Sequence, residues 1–215
     1  DFIDNPYVLI DIINERNYNR RKSLFSTKKE RSMDIRQLEA FVYTVKYQRF
    51  SLAAQKLYLS QPTVSSHINN LEKELHELAR NQKMSYDEVC KELKACYDGY
   101  HFVEDSVGIY NPFSLLNTFD QMKFGDYWFE TGTPTYLVEL LKSSHYDLRR
   151  VVNVETDSDV LNSIDSTSKN PIPVIYQSGY LTIKGYDRRF KIYRLGFPNR
   201  AVEEGFMKYL LPFYA

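Results

Sequence analysis

Two short stretches with helical apolar spacing, separated by a polar joint, dominate the pattern between Phe50 and Leu71. In the first stretch, Ala53, Ala54 and Leu57 recur at helical steps. In the second stretch the apolar positions fall at steps of four and three, and they are Val64, Ile68 and Leu71. We therefore predict a helix, a sharp turn and a second helix. The same spacing continues to Leu78, which predicts that the second helix is long.

The residues at this joint fit that geometry. Ser51 is placed to cap the first helix and Ser60 to cap the second, because a serine hydroxyl accepts a hydrogen bond from a first-turn amide. Pro62 falls in the first turn of the second helix, where its missing N–H costs nothing. The small Ala53 and Ala54 allow the two helices to cross closely, as a DNA-binding helix-turn-helix requires. The second helix exposes polar side chains suited to phosphates and base edges in a major groove, namely Gln61, Thr63, Ser65, Ser66, His67 and Asn69.

This segment also resembles a known family. It opens with MDIRQLEAFV, continues with FSLAAQKLYLSQPTVSSHI and closes with LEKEL, in the order found in the N-terminal DNA-binding domain of LysR-type bacterial transcriptional regulators. The resemblance covers Met33 to Leu75 and implies double-stranded DNA as the partner. It places Ser51 at a helix start that contacts phosphate. On the recognition helix it places Gln61, Pro62, Thr63, Ser65 and Ser66.

The chain departs from that family in two ways. Many LysR-type regulators carry Arg where Ser66 stands, so we expect a strong guanidinium contact to be missing. After LEKEL the family continues into a glycine, a two-stranded wing and a long dimerising helix, whereas this chain reads HELARNQKMSYDEVCKEL. We therefore expect neither the wing nor the usual dimer helix. Binding to a protein partner or to a second copy of the chain is a further alternative.

The later pattern predicts further helices. Ser85 and Glu88 have the Ser-x-x-Glu spacing of a capping box, and Val89, Leu93 and Tyr97 share one face of the helix that follows. Three more helices are predicted: one beginning at Asn111-Pro112, one from Thr133 to Lys142 with Thr133 as its cap and Pro134 at its first position, and one from Ala201 to Leu211.

Two hairpins are predicted among these helices. The segment from Tyr100 to Tyr110 is expected to turn at Asp105 to Gly108. The segment from Tyr180 to Leu195 alternates around Gly185-Tyr186-Asp187, where we place the second turn. Three basic residues follow that turn, Arg188, Arg189 and Lys191. They either contact DNA or form a solvated hairpin tip, and we expect the solvated tip.

The same later segments resemble the bacterial predicted AAA-ATPase-like proteins, which usually carry a PD-(D/E)XK nuclease-like domain at the C-terminus. The resemblance runs from His76 to Ala215, and its ordered motifs are YDGYHF, IYNPFSLLN, YWFETGTPTYLVELLK, NPIPVIYQSGYLTIKGYD and YRLGFPNRAVEEGF. It implies the helical portion that follows the nucleotide core, ending in a winged-helix-like helix and hairpin. The fold class predicted for the chain is α+β, mostly α, with an N-terminal helix-turn-helix and then a helical region with two β-hairpins.

The catalytic motifs of that family are not found in the sequence. The first glycine is Gly99 and no glycine is followed by Lys and then Ser or Thr, so a phosphate-binding loop is missing. Glu92-Leu93-Lys94 has the Glu-x-Lys spacing of a nuclease motif. It is predicted to lie within a helix, with no partner acid on a preceding strand to complete a metal site. The histidines and the two cysteines, Cys90 and Cys96, lack metal-ligand spacing. We expect no enzymatic activity, no cofactor and no metal.

Charge and composition add three expectations. The formal net charge is zero, so no overall field draws the chain toward nucleic acid. The stretch from Arg16 to Arg31 contains one acid, Glu30, among many basic residues, and it is either a solvated linker or an arm that contacts the DNA backbone. Reduced cysteines and the absence of a secretory signal or a membrane-spanning segment suggest the cytoplasm.

The predicted organisation has three parts: a basic arm or linker over residues 1–32, the helix-turn-helix over 33–75 and the AAA-ATPase-like portion over 76–215. Because the chain begins with Asp1 and Met33 opens the regulator-like segment, a fragment or a fused chain is expected. Two functions follow. One is a LysR-type regulator that binds duplex DNA. The other is a non-catalytic fragment of an ATPase-like protein that makes interdomain or partner contacts.

Overall fold

The computed structural model describes residues 35–106, 108–130, 135–163 and 170–210. These residues form mainly helices with one small antiparallel sheet, so the predicted α+β, mostly helical fold class is confirmed. The basic stretch from Arg16 to Arg31 and the predicted cap at Thr133 lie outside the described residues. The chain divides into two compact units: residues 35–94 with 109–125, and residues 95–108 with 126–210.

The first unit is built from five helices. They are α1 (Ile35–Tyr47), α2 (Phe50–Leu57), α3 (Gln61–Gln82), α4 (Tyr86–Tyr97) and α5 (Pro112–Gln121). Helix α1 packs on both α2 and α3, and α2 packs on α3. At this junction Ala40, Ala53, Ala54 and Val64 form a buried cluster. Their small side chains let the helices approach closely, which confirms the packing predicted for the two alanines.

Helix α3 is a single helix of 22 residues, so the predicted extension of the second helix is confirmed. Leu71, Leu75 and Leu78 are buried along the same face. The helix ends where Lys83 adopts a left-handed conformation with φ of 55°. After a short connection α4 begins, so the residues that follow LEKEL are helical where LysR-type regulators are expected to have a wing.

The predicted capping box opens α4. One carboxylate oxygen of Glu88 accepts from the Ser85 amide at 2.7 Å and from the Ser85 hydroxyl at 2.8 Å. The Glu88 amide donates to the Ser85 hydroxyl at 3.3 Å. Helix α5 begins as predicted at Pro112, where the Asn111 side chain accepts from the Ser114 amide at 3.1 Å. Both helix starts are therefore fixed by local side-chain chemistry.

The second unit contains short helices and the sheet. Its elements are α6 (Tyr127–Glu130), α7 (Thr135–Ser144), a 3₁₀ turn (Leu148–Val152), β1 (Val154–Thr156), α8 (Ser158–Asn162), α9 (Ile172–Gln177), β2 (Thr182–Asp187), β3 (Ile192–Gly196) and α10 (Arg200–Leu210). The strands are antiparallel in the order β1-β3-β2. Val154, Leu195 and Ile183 form one row across the sheet and are buried.

Aromatic rings fill the core of this unit. The ring of Phe129 lies 5.4 Å from that of Tyr180 and 5.3 Å from that of Tyr209. Phe206 packs 5.6 Å from Tyr180, centroid to centroid. Gly205 leaves room for this stack, because a Cβ at that position would lie 2.2 Å from the ring of Phe129. Ring packing of this kind contributes stability beyond the area that it buries.

Both hairpins differ in detail from the prediction. Among the described residues of the Tyr100–Tyr110 segment there are isolated bridge positions, and no pair of extended strands forms. The second hairpin does form, but Gly185-Tyr186-Asp187 lies inside β2 and the turn covers residues 188–191. The cause is the Asp187 carboxylate, which accepts from the amides of Arg189 at 2.9 Å and Phe190 at 3.1 Å and so closes the turn after itself.

Candidate nucleic-acid interface

The joint between α2 and α3 is a tight helix-turn-helix connection. Tyr58 ends α2 in the left-handed conformation with φ of 55°, and the Leu59 amide donates to the carbonyl of Ala54 at 2.9 Å. Ser60 then caps α3: its hydroxyl accepts from the Thr63 amide at 3.2 Å. Pro62 lies in the first turn of α3. The predicted cap and the predicted place of the proline are confirmed.

The predicted cap at Ser51 is wrong. Helix α2 begins at Phe50, and its N-cap is Arg49, which makes no side-chain capping bond. The extended backbone of Arg49 lets its carbonyl accept from the Ala53 amide at 3.0 Å, so the helix starts before Ser51. Ser51 is exposed in the first turn. Among the described residues, the amides of Phe50, Ser51 and Leu52 have no hydrogen-bond acceptor.

The side chains predicted to contact DNA divide into two groups along α3. Gln61, Pro62, Ser66 and Asn69 are exposed, whereas Thr63, Ser65 and His67 are half-buried. The Thr63 hydroxyl lies 2.7 Å from the Ser60 hydroxyl, so it is occupied within the joint. The structure therefore places every predicted residue except Ser51 on α3, and only some of them are fully open to solvent.

Exposure follows a narrow strip on α3, opposite to the buried leucines. Pro62, Ser66, Asn69 and Lys73 recur at steps of four, three and four, and all are exposed. The sequence interpretation missed Lys73. Continuing the helical spacing one turn beyond Asn69 would have found it. We refer to these four residues as the α3 strip.

Charge is unevenly distributed along the first unit. The sequence from Ala40 to Leu71 contains no acid and carries the exposed cations Lys46, Arg49 and Lys56, whereas the three acids of α3 after Leu71 are interspersed with Lys73 and Arg80. One of these acids, Glu74, is half-buried, and burial followed by repulsion from Glu77 raises its pKa to about 7. The positive potential therefore lies at the helix-turn-helix end of the unit, which suits a phosphate backbone.

The joint also exposes apolar side chains that the sequence interpretation did not single out. Tyr58 is 96% exposed, and the partly exposed apolar residues near it in sequence are Phe50, Leu52 and Leu59. A tyrosine so fully exposed gains nothing from packing within the described chain, so its body and hydroxyl are both available to a partner.

The remaining candidate groups give no comparable site. Glu92-Leu93-Lys94 lies within α4 and Leu93 is buried, as expected. Cys96 is buried and its sulfur accepts from Arg200 Nη2 at 2.9 Å. Within the described ranges, no three His, Cys, Asp or Glu side chains gather as a metal site. None of the described helices combines the length and apolarity needed to cross a bilayer.

Comparison with known proteins agrees with the geometry of the joint. Residues 35–77 match the family described as bacterial regulatory helix-turn-helix protein, lysR family. The chain is 51% identical over 43 residues to the HTH-type transcriptional regulator CitR of Bacillus subtilis (strain 168), covering 20% of this chain and 15% of that protein. It is equally similar over the same length to the uncharacterized HTH-type transcriptional regulator YwbI of that organism, covering 20% of this chain and 14% of the relative.

A longer similarity extends beyond the helix-turn-helix. The chain is 37% identical over 123 residues to an uncharacterized protein in the vnfD 5′ region of Azotobacter chroococcum mcd 1. That alignment covers 56% of this chain and 23% of the relative, and most of it lies outside residues 35–77 because it is far longer than that segment. The chain thus spans less than a quarter of the length of each relative. No solved structure matches it.

Proposed function

We propose that the first unit binds double-stranded DNA through a LysR-type helix-turn-helix and that the chain acts in transcription regulation. The observation that carries the proposal is the α3 strip, which begins at the capped start of α3 beside exposed cations. The match of residues 35–77 to the lysR family supports it. A helix presented in this way reads base edges with its N-terminal residues while its neighbours hold phosphates.

Gln61, at the start of α3, and the four residues of the strip have distinct roles in this proposal. The amides of Gln61 and Asn69 suit adenine, which accepts and donates at its major-groove edge. Ser66 accepts or donates to several bases, and Pro62 offers an apolar surface to a thymine methyl group. Lys73, at the far end of the strip, is assigned to a phosphate. Without an arginine at Ser66, base discrimination depends on the two amides.

Side chains beside the strip take supporting roles. Ser65 and His67, both half-buried, lie next to it and are assigned to contacts at the edge of the groove. Thr63 is assigned to position the first turn through its bond to Ser60. In this proposal every predicted residue belongs to the interface, and only the exposed residues contact bases directly.

Ser51 and the uncapped start of α2 form the proposed phosphate contact. The amides of Phe50, Ser51 and Leu52 point out of the helix end, and the helix dipole favours an anion there. The exposed Ser51 hydroxyl adds a further donor. If Ser51 capped α2, its hydroxyl would occupy one of these amides. Because it does not, both the hydroxyl and the amides are available for the proposed phosphate contact.

The test measures binding of the full chain to a mixed-sequence duplex of about 30 base pairs by fluorescence anisotropy, at about 50 and about 200 mM salt. We expect Asn69→Asp to weaken binding about tenfold, because it places a negative charge in the strip. The matched control is Asn81→Asp, an exposed site of the same charge change at the other end of α3. It should change the dissociation constant less than about twofold. Equal effects of the two variants would contradict the proposal.

A second candidate concerns residues 76–215. We propose that they form a non-catalytic portion of an AAA-ATPase-like protein that makes interdomain or protein-partner contacts. Most of the 123-residue similarity to the Azotobacter protein lies outside the helix-turn-helix. This favours a parent protein that is longer than this chain and differs from a LysR-type regulator. Sequencing the neighbouring coding region tests this. A phosphate-binding loop upstream and a nuclease motif downstream would support the candidate, and a LysR effector domain would contradict it. Either function is proposed for the cytoplasm.

A further inference from the structure

We propose that the β2–β3 hairpin of the second unit binds single-stranded nucleic acid, with Phe190 stacking on a base and Arg189, Lys191 and Arg194 contacting phosphates. This surface is separate from the α3 strip and does not depend on the function proposed for it. The hairpin turn and the adjoining strands border an open groove of about 460 Å³. We call this the hairpin groove.

The first support is an aromatic ring left in water at a turn. Phe190 is 63% exposed. Burying a phenylalanine side chain would normally stabilise the fold, so the exposed ring contributes little to folding. The guanidinium carbon of Arg189 lies 5.2 Å from the centroid of that ring. Because the guanidinium lies over the ring, it occupies one face of Phe190. The other face is left for stacking on a base, while the cation is close enough to contact the adjacent phosphate.

The second support is the balance of charge around the ring. Arg188 Nη2 pairs with Asp105 Oδ2 at 2.8 Å, so its charge is compensated. In the part of the chain that the structure describes, no carboxylate lies within ion-pair distance of Arg189 or Lys191. The Asp187 carboxylate is used by two amides of the turn. The carboxylate keeps its charge, so Asp105 and Asp187 offset two of the three cations Arg188, Arg189 and Lys191. The tip is left with an excess of one positive charge, which is complementary to phosphate.

Arg194 extends this positive surface along the sheet. It pairs in register with Gly185 on one side and with Glu155 on the other. Its guanidinium group lies flat against Gly185, where a Cβ would come within 2.8 Å of Nη2. Glycine at this point thus lets the group stay on the sheet face instead of being pushed away. Glu155 lies opposite it in the register of β1 and β3 and brings a negative charge to the same part of the sheet, so Arg194 is assigned one phosphate contact at most.

The third support is the stiffness of the hairpin. Besides the two bonds to Asp187, the rings of Tyr186 and Tyr193 pack 4.6 Å apart across the strands. Tyr193 donates from its hydroxyl to Glu104 at 2.6 Å. A turn backbone held in this way lowers the ordering cost of presenting Phe190 to a ligand.

The size and shape of the groove favour a single strand over a duplex. A volume of this order is that of a small-molecule site, enough for about one nucleotide. In a duplex the base faces are already stacked, so a ring at a hairpin tip meets mainly sugar and phosphate. An unpaired base offers the face that Phe190 can cover.

The experiment uses the full chain and a fluorescent single-stranded oligothymidine of about 15 nucleotides. We expect Phe190→Ala to weaken binding about tenfold. The matched control is Phe102→Ala, since Phe102 is 66% exposed in the same unit. A double change, Arg189→Gln with Lys191→Gln, should reduce the slope of log affinity against log salt by about 1.4. Its charge-matched control, Lys91→Gln with Lys94→Gln, should leave the slope unchanged.

Several outcomes would overturn the proposal. They are no measurable binding of the oligothymidine, equal effects of Phe190→Ala and Phe102→Ala, or displacement by polyglutamate as effective as by unlabelled oligothymidine. Hairpin variants that weaken duplex binding and leave single-strand binding intact would show a wing-like contact instead. The Asn69→Asp variant separates the two surfaces, because it should weaken duplex binding and leave oligothymidine binding unchanged.

Discussion

The carboxyl group of Glu74 is half-buried on α3, and one of its oxygens is buried without a hydrogen-bond partner among the described residues. Burial disfavours the charged form, and the nearby Glu77 adds repulsion, so the pKa rises from 4.5 to about 7. The folded chain therefore holds this proton more tightly than the unfolded chain. The stability that this group contributes is present below about pH 4.5 and is lost as the pH rises through about 7.

We predict that Glu74→Gln removes this part of the pH dependence. Its melting temperature should exceed that of the unchanged chain at about pH 8, and the difference should shrink toward about pH 5. Thermal unfolding followed by circular dichroism at the two pH values measures it. Glu72→Gln is the control, because Glu72 lies two residues before Glu74 on the same helix and is exposed. A constant difference at both pH values would contradict the raised pKa.

The left-handed backbone at Tyr58 provides a second prediction for a single residue. A side chain in this conformation is strained, and Tyr58 is 96% exposed, so its removal sacrifices no packing. Tyr58→Gly should raise the free energy of unfolding by about 1 kcal/mol, measured by urea denaturation. Gln55→Gly, in the preceding helix, should lower it by about 1 kcal/mol. A loss of stability in both variants would show that the Tyr58 ring has an unrecognised contact.

At the scale of elements, helix starts were the most predictable features. Ser60, Ser85 and Asn111 were placed correctly because each cap needs only a local side chain and a nearby amide. Ser51 has the same chemistry but lies inside its helix. The difference is the extended backbone at Arg49, which depends on how α1 packs on α2 and cannot be read from a short sequence pattern.

The turn of the second hairpin, in contrast, could not be placed from the local sequence. Gly185-Tyr186-Asp187 has the composition of a turn, yet it lies in β2 because Asp187 bonds forward to the next two amides. Gly185 serves the packing of Arg194, which is a contact between strands. The exposure of Lys73 and Phe190 likewise depends on which faces are covered. Most helices and three of the four strip residues could thus be predicted from local patterns, whereas the turn position and the exposure of Lys73 and Phe190 depend on tertiary contacts.

Ser60→Ala should destabilise the chain by about 1 kcal/mol, because the Thr63 amide and hydroxyl both lose their partner at the start of α3. Ser66→Ala is the matched control on the same helix. It should leave stability within about 0.5 kcal/mol while weakening duplex binding. Urea denaturation and anisotropy on both variants make the comparison. If Ser66→Ala proved the more destabilising, the assignment of Ser66 to an exposed contact would be wrong.

Gly205→Ala tests the aromatic stack of the second unit. Alanine favours a helix by about 1 kcal/mol over glycine. Here, however, its Cβ would lie 2.2 Å from the Phe129 ring, which is itself held between Tyr180 and Tyr209. We expect a net loss of about 1 to 3 kcal/mol in the free energy of unfolding. Glu204→Ala, an exposed neighbour on α10, should change it by less than about 0.5 kcal/mol.

At the scale of the whole chain, a net charge of zero hides an uneven distribution. The joint of the first unit and the hairpin tip of the second carry exposed cations, whereas acids follow Leu71 on α3. Composition alone could not predict the two surfaces that are proposed to bind nucleic acid, because the charges cancel in the sum. Their position became visible only when exposure and local pairing were known.

Helix α3 has a mechanical consequence. With 22 residues and no break it is about 33 Å long, and at its far end Gln82 Nε2 holds the carbonyl of Met122 at 2.7 Å. It is thus a stiff lever with Gln61 at one tip. A tilt of about 10° imposed near Met122 would swing the Gln61 tip by about 6 Å, half the width of a major groove. A contact that tilts α3 at its Met122 end would therefore move Gln61, which is proposed to contact bases, into or out of the groove.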